Sequence, residues 1–322
     1  MTDFFCPLPW KGIFVHTDKT QVCCASSKSF YGVSPDEFLN SDYIKQLREK
    51  FLRGEIDDTC SFCVHAEKHG LQSIRQHALR LLGTDTTPQL EYIEMRASNL
   101  CNFSCEMCNG ENSSLISGEV VNISQENWQQ ILDKYKTLTR VNLTGGEPFL
   151  IKRYYELLDF LLENDRSDVI ISVYTNCSVY NPIFVKKLIS FKKCYLNMSI
   201  DGIERTAELQ RAGTNWKVVD SNIRKFIELP VQLKFHTTIT NLNILDIDRL
   251  VKYFIDISEN KDISFVAHSV GRPFAMTISN MQPRLKHIAI RSIDKAVDLM
   301  TDSKFDQLKN ELLKNRQIIT DL

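Results

Sequence analysis

The chain has 322 residues, 43% of them hydrophobic, and its 39 basic and 40 acidic side chains give a formal net charge of −1. This size suits one large domain with an extension, or about two domains. The near-zero charge argues against nucleic acid as a partner held by bulk electrostatics, and no apolar run approaches the roughly 20 residues that span a bilayer. Because the first residues lack the basic and apolar segments of a secretion signal, we expect a cytoplasmic protein.

The first part of the chain, residues 1–82, is predicted to be a cysteine-rich domain with few strands. Residues 41–55 have the pattern of an amphipathic helix that Ser41 caps. The apolar face of this helix is formed by Ile44, Leu47, Phe51 and Leu52. A second helix is predicted over 65–82, and the turn-forming residues 83–89 read as a linker.

From residue 90 onward, short β-rich runs alternate with amphipathic helices. The predicted strands are residues 90–97, 140–144, 169–175, 194–200, 231–239 and 262–268. The predicted helices between them are residues 124–137, 150–164, 181–190, 215–229 and 243–258. Strands separated by helices imply an α/β fold with a parallel sheet, either an open doubly wound sheet or a partly closed barrel. In both, ligands bind at the carboxyl ends of the strands. The last 40 or so residues are predicted as two more helices.

Ten cysteines are the unusual feature of the composition. A reducing cytosol keeps thiols free, and clustered free thiols indicate metal or redox chemistry. The strongest pattern is LCNFSCEMC, which places Cys101, Cys105 and Cys108 in one loop after the first predicted strand. A closed zinc site normally takes four ligands, and no fourth Cys or His follows nearby. Three thiolates on a cubane iron–sulfur cluster would leave one iron open to a ligand that is not protein.

This loop resembles the CxxxCxΦC motif of the radical SAM superfamily, with Met107 in the Φ position. The resemblance implies a partial (β/α)6 barrel over residues 88–276 and a [4Fe–4S] cluster whose open iron binds S-adenosylmethionine. It also implies the activity, in which S-adenosylmethionine is reductively cleaved to a 5′-deoxyadenosyl radical that abstracts hydrogen from a substrate. An external donor of the flavodoxin or ferredoxin type would supply the electron. A zinc loop that borrows a ligand from elsewhere is the alternative.

Later strands are followed by further motifs of this family: TGGEP, YTNC where the family often has TNG, SIDG, QRAG and TTITNLN. The resemblance implies that the cofactor is bound by Met107, Gly145, Gly146, Glu147, Asn176, Ser199, Asp201, Arg211 and Asn241. In particular, Glu147 is expected to face the methionine ammonium group and Arg211 the cofactor carboxylate. An ordinary Asp-Gly turn at Asp201 and a surface role for Arg211 are the alternatives.

The cysteines of the first 82 residues resemble a twitch or SPASM-type auxiliary iron–sulfur domain placed before the barrel. Cys60 and Cys63 form a C-x2-C half-site, and Cys6 with Cys24 or Cys23 would supply the other half; Cys24 is the residue we predict. A cluster with four protein ligands would serve electron transfer or structure, and a structural zinc site is the alternative.

Four other His and Cys residues are not predicted to bind a metal. His65 and His69 share one helical face, which we predict to be solvated, and Cys177 and Cys194 are predicted to be small apolar core residues.

Three functions fit these patterns. The first is a radical SAM enzyme that acts on a peptide or protein side chain and uses an auxiliary cluster for electron transfer. The second is a radical SAM enzyme that acts on a sugar, a small molecule or RNA, although RNA binding would need a basic surface that this neutral chain lacks. The third is a non-catalytic iron–sulfur or zinc redox module. Residues 277–322 form the predicted C-terminal helical extension, and no general acid or base is predicted.

Overall fold

Parallel strands with helices between them form the centre of the computed structural model, which describes residues 4–68 and 72–321. The described strands are β1 Gly12–Val15, β2 Lys19–Gln21, β3 Phe30–Tyr31, β4 Tyr92–Met95, β5 Ser104–Cys105, β6 Arg140–Leu143, β7 Ile170–Thr175, β8 Cys194–Ser199, β9 Arg211–Ala212, β10 Gln232–Ile239 and β11 Ile263–Ser269. The described helices are α1 Leu8–Lys11, α2 Pro35–Asn40, α3 Asp42–Leu52, α4 Ser61–Lys68, α5 Ile74–Leu82, α6 Ser114–Ser117, α7 Gln125–Asp133, α8 Lys152–Glu163, α9 Pro182–Leu188, α10 Glu204–Gln210, α11 Trp216–Phe226, α12 Ile247–Ile257, α13 Lys286–Leu299 and α14 Asp306–Asp321.

Nine of these strands form one sheet in the order β11-β10-β8-β7-β6-β4-β1-β2-β3. Neighbouring strands from β11 to β1 are all parallel, and β2 and β3 continue the sheet as antiparallel strands. The parallel α/β architecture predicted from the sequence is therefore confirmed. The sheet also crosses the predicted boundary at residue 82, because β1 from the cysteine-rich part pairs with β4.

The six predicted strands and the five helices between them are confirmed, with ends that differ by a few residues. Five of the described strands were not predicted: the two-residue strands β5 and β9, and β1 to β3 of the cysteine-rich part. β1 is four residues long and buried on both faces, so it lacks the alternation that marks a half-buried strand. The remaining strands of this part are two or three residues long.

Two helix predictions in the cysteine-rich part were wrong in detail. Ser41 does cap α3, since its side chain accepts a hydrogen bond from the Ile44 N–H, but Leu52 is 58% exposed because the helix ends there. The helix predicted over 65–82 is two helices, and a capping box at Ser73 starts the second. His69 lies outside the described residues.

The two predicted carboxyl-terminal helices are present, and α14 covers the edge strand β11. The Gln307 side chain hydrogen-bonds with both the N–H and the carbonyl of Ala267, and Glu311 accepts a hydrogen bond from the Ser269 N–H at 2.9 Å. These contacts satisfy backbone groups that an open edge would expose. None of the described helices combines the length and apolar composition needed to cross a membrane.

Tyr154 of α8 connects this helix to the ends of two central strands. Its buried hydroxyl accepts a hydrogen bond from the Ala97 N–H and donates to the Met95 and Thr144 carbonyls, at 3.0, 3.0 and 2.6 Å. We expect Tyr154→Phe to lower the free energy of unfolding by about 1–3 kcal/mol, because it leaves buried backbone groups unpaired. Urea denaturation measures this loss. Tyr180→Phe is the control, since the structure shows no partner for that hydroxyl among the described residues; an equal loss in both variants would contradict the assignment.

Candidate active site

The inner face of the sheet curves around a cavity of about 720 Å³. Residues from β4, β6, β7, β8, β10 and β11 all line it, so the sheet bends around the cavity and forms a partial barrel. All three loop cysteines, Cys101, Cys105 and Cys108, line the same cavity. The loop follows β4, so the cysteines lie at the carboxyl ends of the strands, where ligands bind in such folds.

The side chain of Asn99 fixes the start and the end of the cysteine loop. It donates to the carbonyls of Gly110 and Glu119 at 3.2 Å each, and its oxygen accepts from the Val121 N–H at 2.8 Å. Asn99 is 2% exposed. A buried side chain that bonds to three distant backbone groups holds the loop in one conformation, with Cys101 two residues beyond it.

Burial keeps the thiols of Cys101 and Cys105 protonated when no metal is bound. It raises the pKa of the Cys101 thiol to about 11, although a hydrogen bond from the Phe103 N–H lowers it, and it also raises the pKa of Cys105. Iron binding must therefore release protons. Among residues 4–68 and 72–321, no three His, Cys, Asp or Glu side chains are gathered closely enough to hold a single metal ion. The three thiols line the same cavity, and a set of soft thiolates of this kind fits an iron–sulfur cluster.

The two glycines of TGGEP pack against the backbone that leads into the cysteine loop. A Cβ on Gly146 would lie 2.0 Å from the Leu100 carbonyl oxygen, and one on Gly145 would lie 2.6 Å from the Ser98 oxygen. Gly145 also has a φ of +106°, which L side chains rarely adopt. The glycines therefore allow β6 to approach the loop, and both line the cavity.

We expect Gly146→Ala to displace the backbone next to Cys101, because the new methyl group would overlap a carbonyl oxygen that cannot rotate away. Iron content after anaerobic reconstitution should fall by up to about four per chain, the content of one cubane cluster at the loop. Gly271→Ala is the matched control, since a Cβ there has open space around it. Full iron loading of Gly146→Ala would show that the loop can bind its cluster without the close contact between Gly146 and the Leu100 carbonyl.

Glu147 does not face the cavity, which differs from the role expected for it. Its side chain is fully buried, and its carboxylate accepts hydrogen bonds from the Thr175 hydroxyl and from the N–H groups of Asn176 and Phe149, at 2.8, 2.7 and 3.1 Å. Burial raises the pKa of Glu147 to about 7 despite these donors. In this structure Glu147 therefore positions the end of β7 and does not project towards a ligand.

Asp201 and Arg211 form a buried ion pair at the edge of the cavity. The Arg211 Nε lies 2.6 Å from one Asp201 oxygen, and the other oxygen accepts from the Thr238 N–H at 2.7 Å. Burial alone would lower the pKa of Arg211, but Asp201 and the Cys105 thiol raise it above its ordinary value. Arg211 lines the cavity and pairs through β9 with Cys105, so Asp201 acts by holding this guanidinium beside the cysteine loop.

The remaining expected cofactor ligands divide into two groups. Asn176 and Ser199 line the cavity, as expected of groups that contact a ligand. Met107 is half-buried and does not line it, and the Asn241 side chain donates to the Ala275 carbonyl at 2.8 Å instead of pointing inward. Asn241 thus supports the segment after β11 in this structure.

The family model of the radical SAM superfamily matches residues 95–254, which contain the cysteine loop, both glycines and Arg211. The chain contains a radical SAM domain. No curated protein matches the chain.

Two solved structures are similar to parts of the chain. The chain resembles anSMEcpe with bound AdoMet at 18% identity and a TM-score of 0.49, over 65% of this chain and 60% of that one. It resembles Streptococcus suis SuiB bound to the precursor peptide SuiA at 16% identity and a TM-score of 0.48, over 85% of this chain and 64% of that one. The chain thus spans less than two thirds of the length of either protein.

Beside the radical SAM domain, four other cysteines line a second, small cavity of about 20 Å³: Cys6, Cys23, Cys60 and Cys63. Burial raises the pKa of the Cys23 thiol to about 12, and the neighbouring Cys63 and Cys60 contribute to this rise. Cys24, the ligand predicted from the sequence, is not among these four: in this structure it lines the large cavity of about 720 Å³ and hydrogen-bonds with Glu94. The two cysteines lie in a turn, in which the Ser26 N–H donates to the Cys23 carbonyl at 3.2 Å, and their side chains enter different cavities.

The sequence did not predict the polar side chains on the inner wall of the large cavity. Tyr92, Glu94, Asn142, Tyr174 and His236 all line it. Their signal was present in the alternation of polar and apolar residues within the predicted strands, as in YIEMRA, where the apolar partners are fully buried. A parallel strand covered by helices is usually apolar on both faces, so polar residues at every second position indicate a lumen that binds a ligand.

Proposed function

We propose that the chain is a radical SAM enzyme that cleaves S-adenosylmethionine reductively and abstracts hydrogen from a peptide or protein side chain. The observation that carries this proposal is that three cysteine thiols, from a loop with no fourth cysteine, line one large cavity. Cys101, Cys105 and Cys108 would hold the cluster and leave one iron without a protein ligand, and Gly145, Gly146 and Arg211 line the same cavity.

The bound cluster would supply the electron that converts S-adenosylmethionine to methionine and a 5′-deoxyadenosyl radical. The chain's own residues bind and orient. Arg211, held by Asp201, offers a cation for the cofactor carboxylate, while Asn176 and Ser199 add polar groups at the strand ends.

The second cysteine cavity supports an auxiliary site. We propose that Cys6, Cys23, Cys60 and Cys63 hold a second [4Fe–4S] cluster for electron transfer, with a structural zinc ion as the alternative occupant. An external flavodoxin- or ferredoxin-type donor in the cytoplasm would reduce the enzyme. The substrate class rests on the resemblance of this cysteine-rich part to twitch and SPASM-type domains, and the formal net charge of −1 disfavours RNA.

The test is to reconstitute the whole chain anaerobically and to supply dithionite and S-adenosylmethionine. We expect 5′-deoxyadenosine and methionine in equal amounts by liquid chromatography and mass spectrometry, and none when dithionite is left out. A chain with its full iron content that forms no 5′-deoxyadenosine would instead support the non-catalytic redox module.

A further inference from the structure

Four side chains form a hydrogen-bonded group on the inner wall of the large cavity. Asn142 Nδ2 donates to the Tyr92 hydroxyl at 2.9 Å, and that hydroxyl donates to Glu94 Oε2 at 3.1 Å. The Cys24 thiol also hydrogen-bonds with Glu94. All four side chains line the cavity. The proposed cluster chemistry uses none of them, so this wall is free to contact a second ligand.

The Glu94 carboxylate forms no ion pair with any described residue. No described Lys, Arg or His nitrogen lies within 4 Å of it, and its hydrogen-bond partners, Tyr92 and Cys24, are neutral. Arg96 is the cation that acts on it, but the Arg96 guanidinium hydrogen-bonds to His16 Nε2 at 2.8 Å and lies over the Phe14 ring. A carboxylate withdrawn from bulk water without an ion-pair partner is costly, which points to a ligand that completes the pair.

The same wall has an acceptor without a donor. Among the described residues, three buried side-chain polar atoms lack a hydrogen-bond partner, namely His16 Nδ1, Asn112 Oδ1 and Asn142 Oδ1. Both amide oxygens belong to residues that line this cavity, and an amide oxygen can only accept. Because buried polar atoms in native proteins are nearly always paired, these oxygens indicate a ligand rich in N–H donors.

His236, one of three described histidines that line the cavity, does not supply the missing positive charge. His236 lines the cavity and its Nε2 lies 3.2 Å from Asn197 Oδ1. Burial lowers the pKa of His236 to about 3, so its ring is neutral at physiological pH. The wall beside Glu94 therefore offers negative charge and acceptors in excess of the donors that face them.

We infer that Glu94 and Asn142 bind a cationic group of the substrate, a lysine-type ammonium or an arginine-type guanidinium. Such a group has a positive charge that would pair with the Glu94 carboxylate. It also has N–H groups that can donate to Asn142 Oδ1. A neutral amide would satisfy Asn142 but leave the carboxylate unpaired, and an acidic side chain would be repelled. The inference rests on the proposed function, because it assigns the substrate class of that same cavity.

The test uses three capped tripeptides, acetyl-Ala-Xaa-Ala-amide with lysine, glutamine or norleucine at Xaa, and the iron-loaded chain with S-adenosylmethionine. By anaerobic calorimetry we expect the lysine peptide to bind about tenfold or more tightly than the norleucine peptide, as for a charge-assisted hydrogen bond. Glu94→Gln should remove this preference, and Asn142→Asp should increase it by adding a second carboxylate. Glu163→Gln, at an exposed helix end, is the matched control.

Alkylation of Cys24 reports where the peptide binds. Cys24 is accessible and lines the cavity, so the lysine peptide should slow its reaction with iodoacetamide, measured by peptide mapping, while the norleucine peptide should not. Equal affinities for the three peptides, no binding of the lysine peptide at millimolar concentration, a preference retained by Glu94→Gln, or an unprotected Cys24 would each overturn the inference. If the wild-type chain forms 5′-deoxyadenosine in any of those cases, the proposed function stands and only the substrate class fails.

Discussion

Replacing Cys101, Cys105 and Cys108 together by Ala is expected to abolish 5′-deoxyadenosine formation and to remove about four irons per chain, the content of one cubane. The three thiols line the same cavity, and the triple variant removes all three proposed protein ligands of the cluster. Iron and 5′-deoxyadenosine are measured on the same anaerobic sample, so that loss of the cluster and loss of activity are seen together.

Cys194→Ala is the control for this triple variant. Cys194 is 4% exposed at the start of β8 and, as predicted, packs in the hydrophobic core, so its loss should leave both readouts unchanged. Formation of 5′-deoxyadenosine by the triple variant above the level without dithionite would show that the loop does not hold the active cluster.

The second large effect distinguishes two adjacent cysteines. We expect Cys23→Ala to lower the iron content of the reconstituted chain from about eight to about four per chain, because it removes one of the four thiols of the second cavity. Cys24→Ala should leave the iron content near eight, because Cys24 contacts Glu94 in the other cavity. Iron analysis with Mössbauer spectroscopy separates the two clusters, and zinc analysis tests the alternative occupant.

Either of two results would contradict this assignment. A loss of iron in Cys24→Ala but not in Cys23→Ala would support the ligand set predicted from the sequence, in which Cys24 binds the cluster. A wild-type chain with about four irons and one zinc would show that the second site is structural, and Cys23→Ala should then lose the zinc. The radical SAM domain itself would be unaffected by that outcome.

The central fold could be predicted from local patterns of residues along the sequence. Each of the six predicted strands is a β-rich run bounded by turn formers, and the helices between them have clear apolar faces, as Ser124 and the helix it caps illustrate. The pairing of β1 with β4 could not be predicted, because it joins residues about 80 positions apart through a four-residue strand. The long-range contact, and not the local pattern, decides that β1 is a strand.

The motifs predicted which residues gather at the site but not how their side chains point. The cysteine loop, Gly145, Gly146 and Arg211 do line the cavity. Glu147 instead accepts three hydrogen bonds from protein groups, and Asn241 turns to the Ala275 carbonyl. Side-chain direction depends on the hydrogen bonds that the folded neighbours offer, which a motif read along one chain does not contain.

The open iron beside Cys101, Cys105 and Cys108 is the central claim, and electron–nuclear double resonance tests it most directly. The reduced, iron-loaded chain would be frozen with S-adenosylmethionine that carries ¹⁵N in its amino group. We predict a hyperfine coupling between that nitrogen and the cluster, lost in the triple cysteine variant. A spectrum identical with labelled and unlabelled S-adenosylmethionine, from a chain that has its full iron content, would contradict the account.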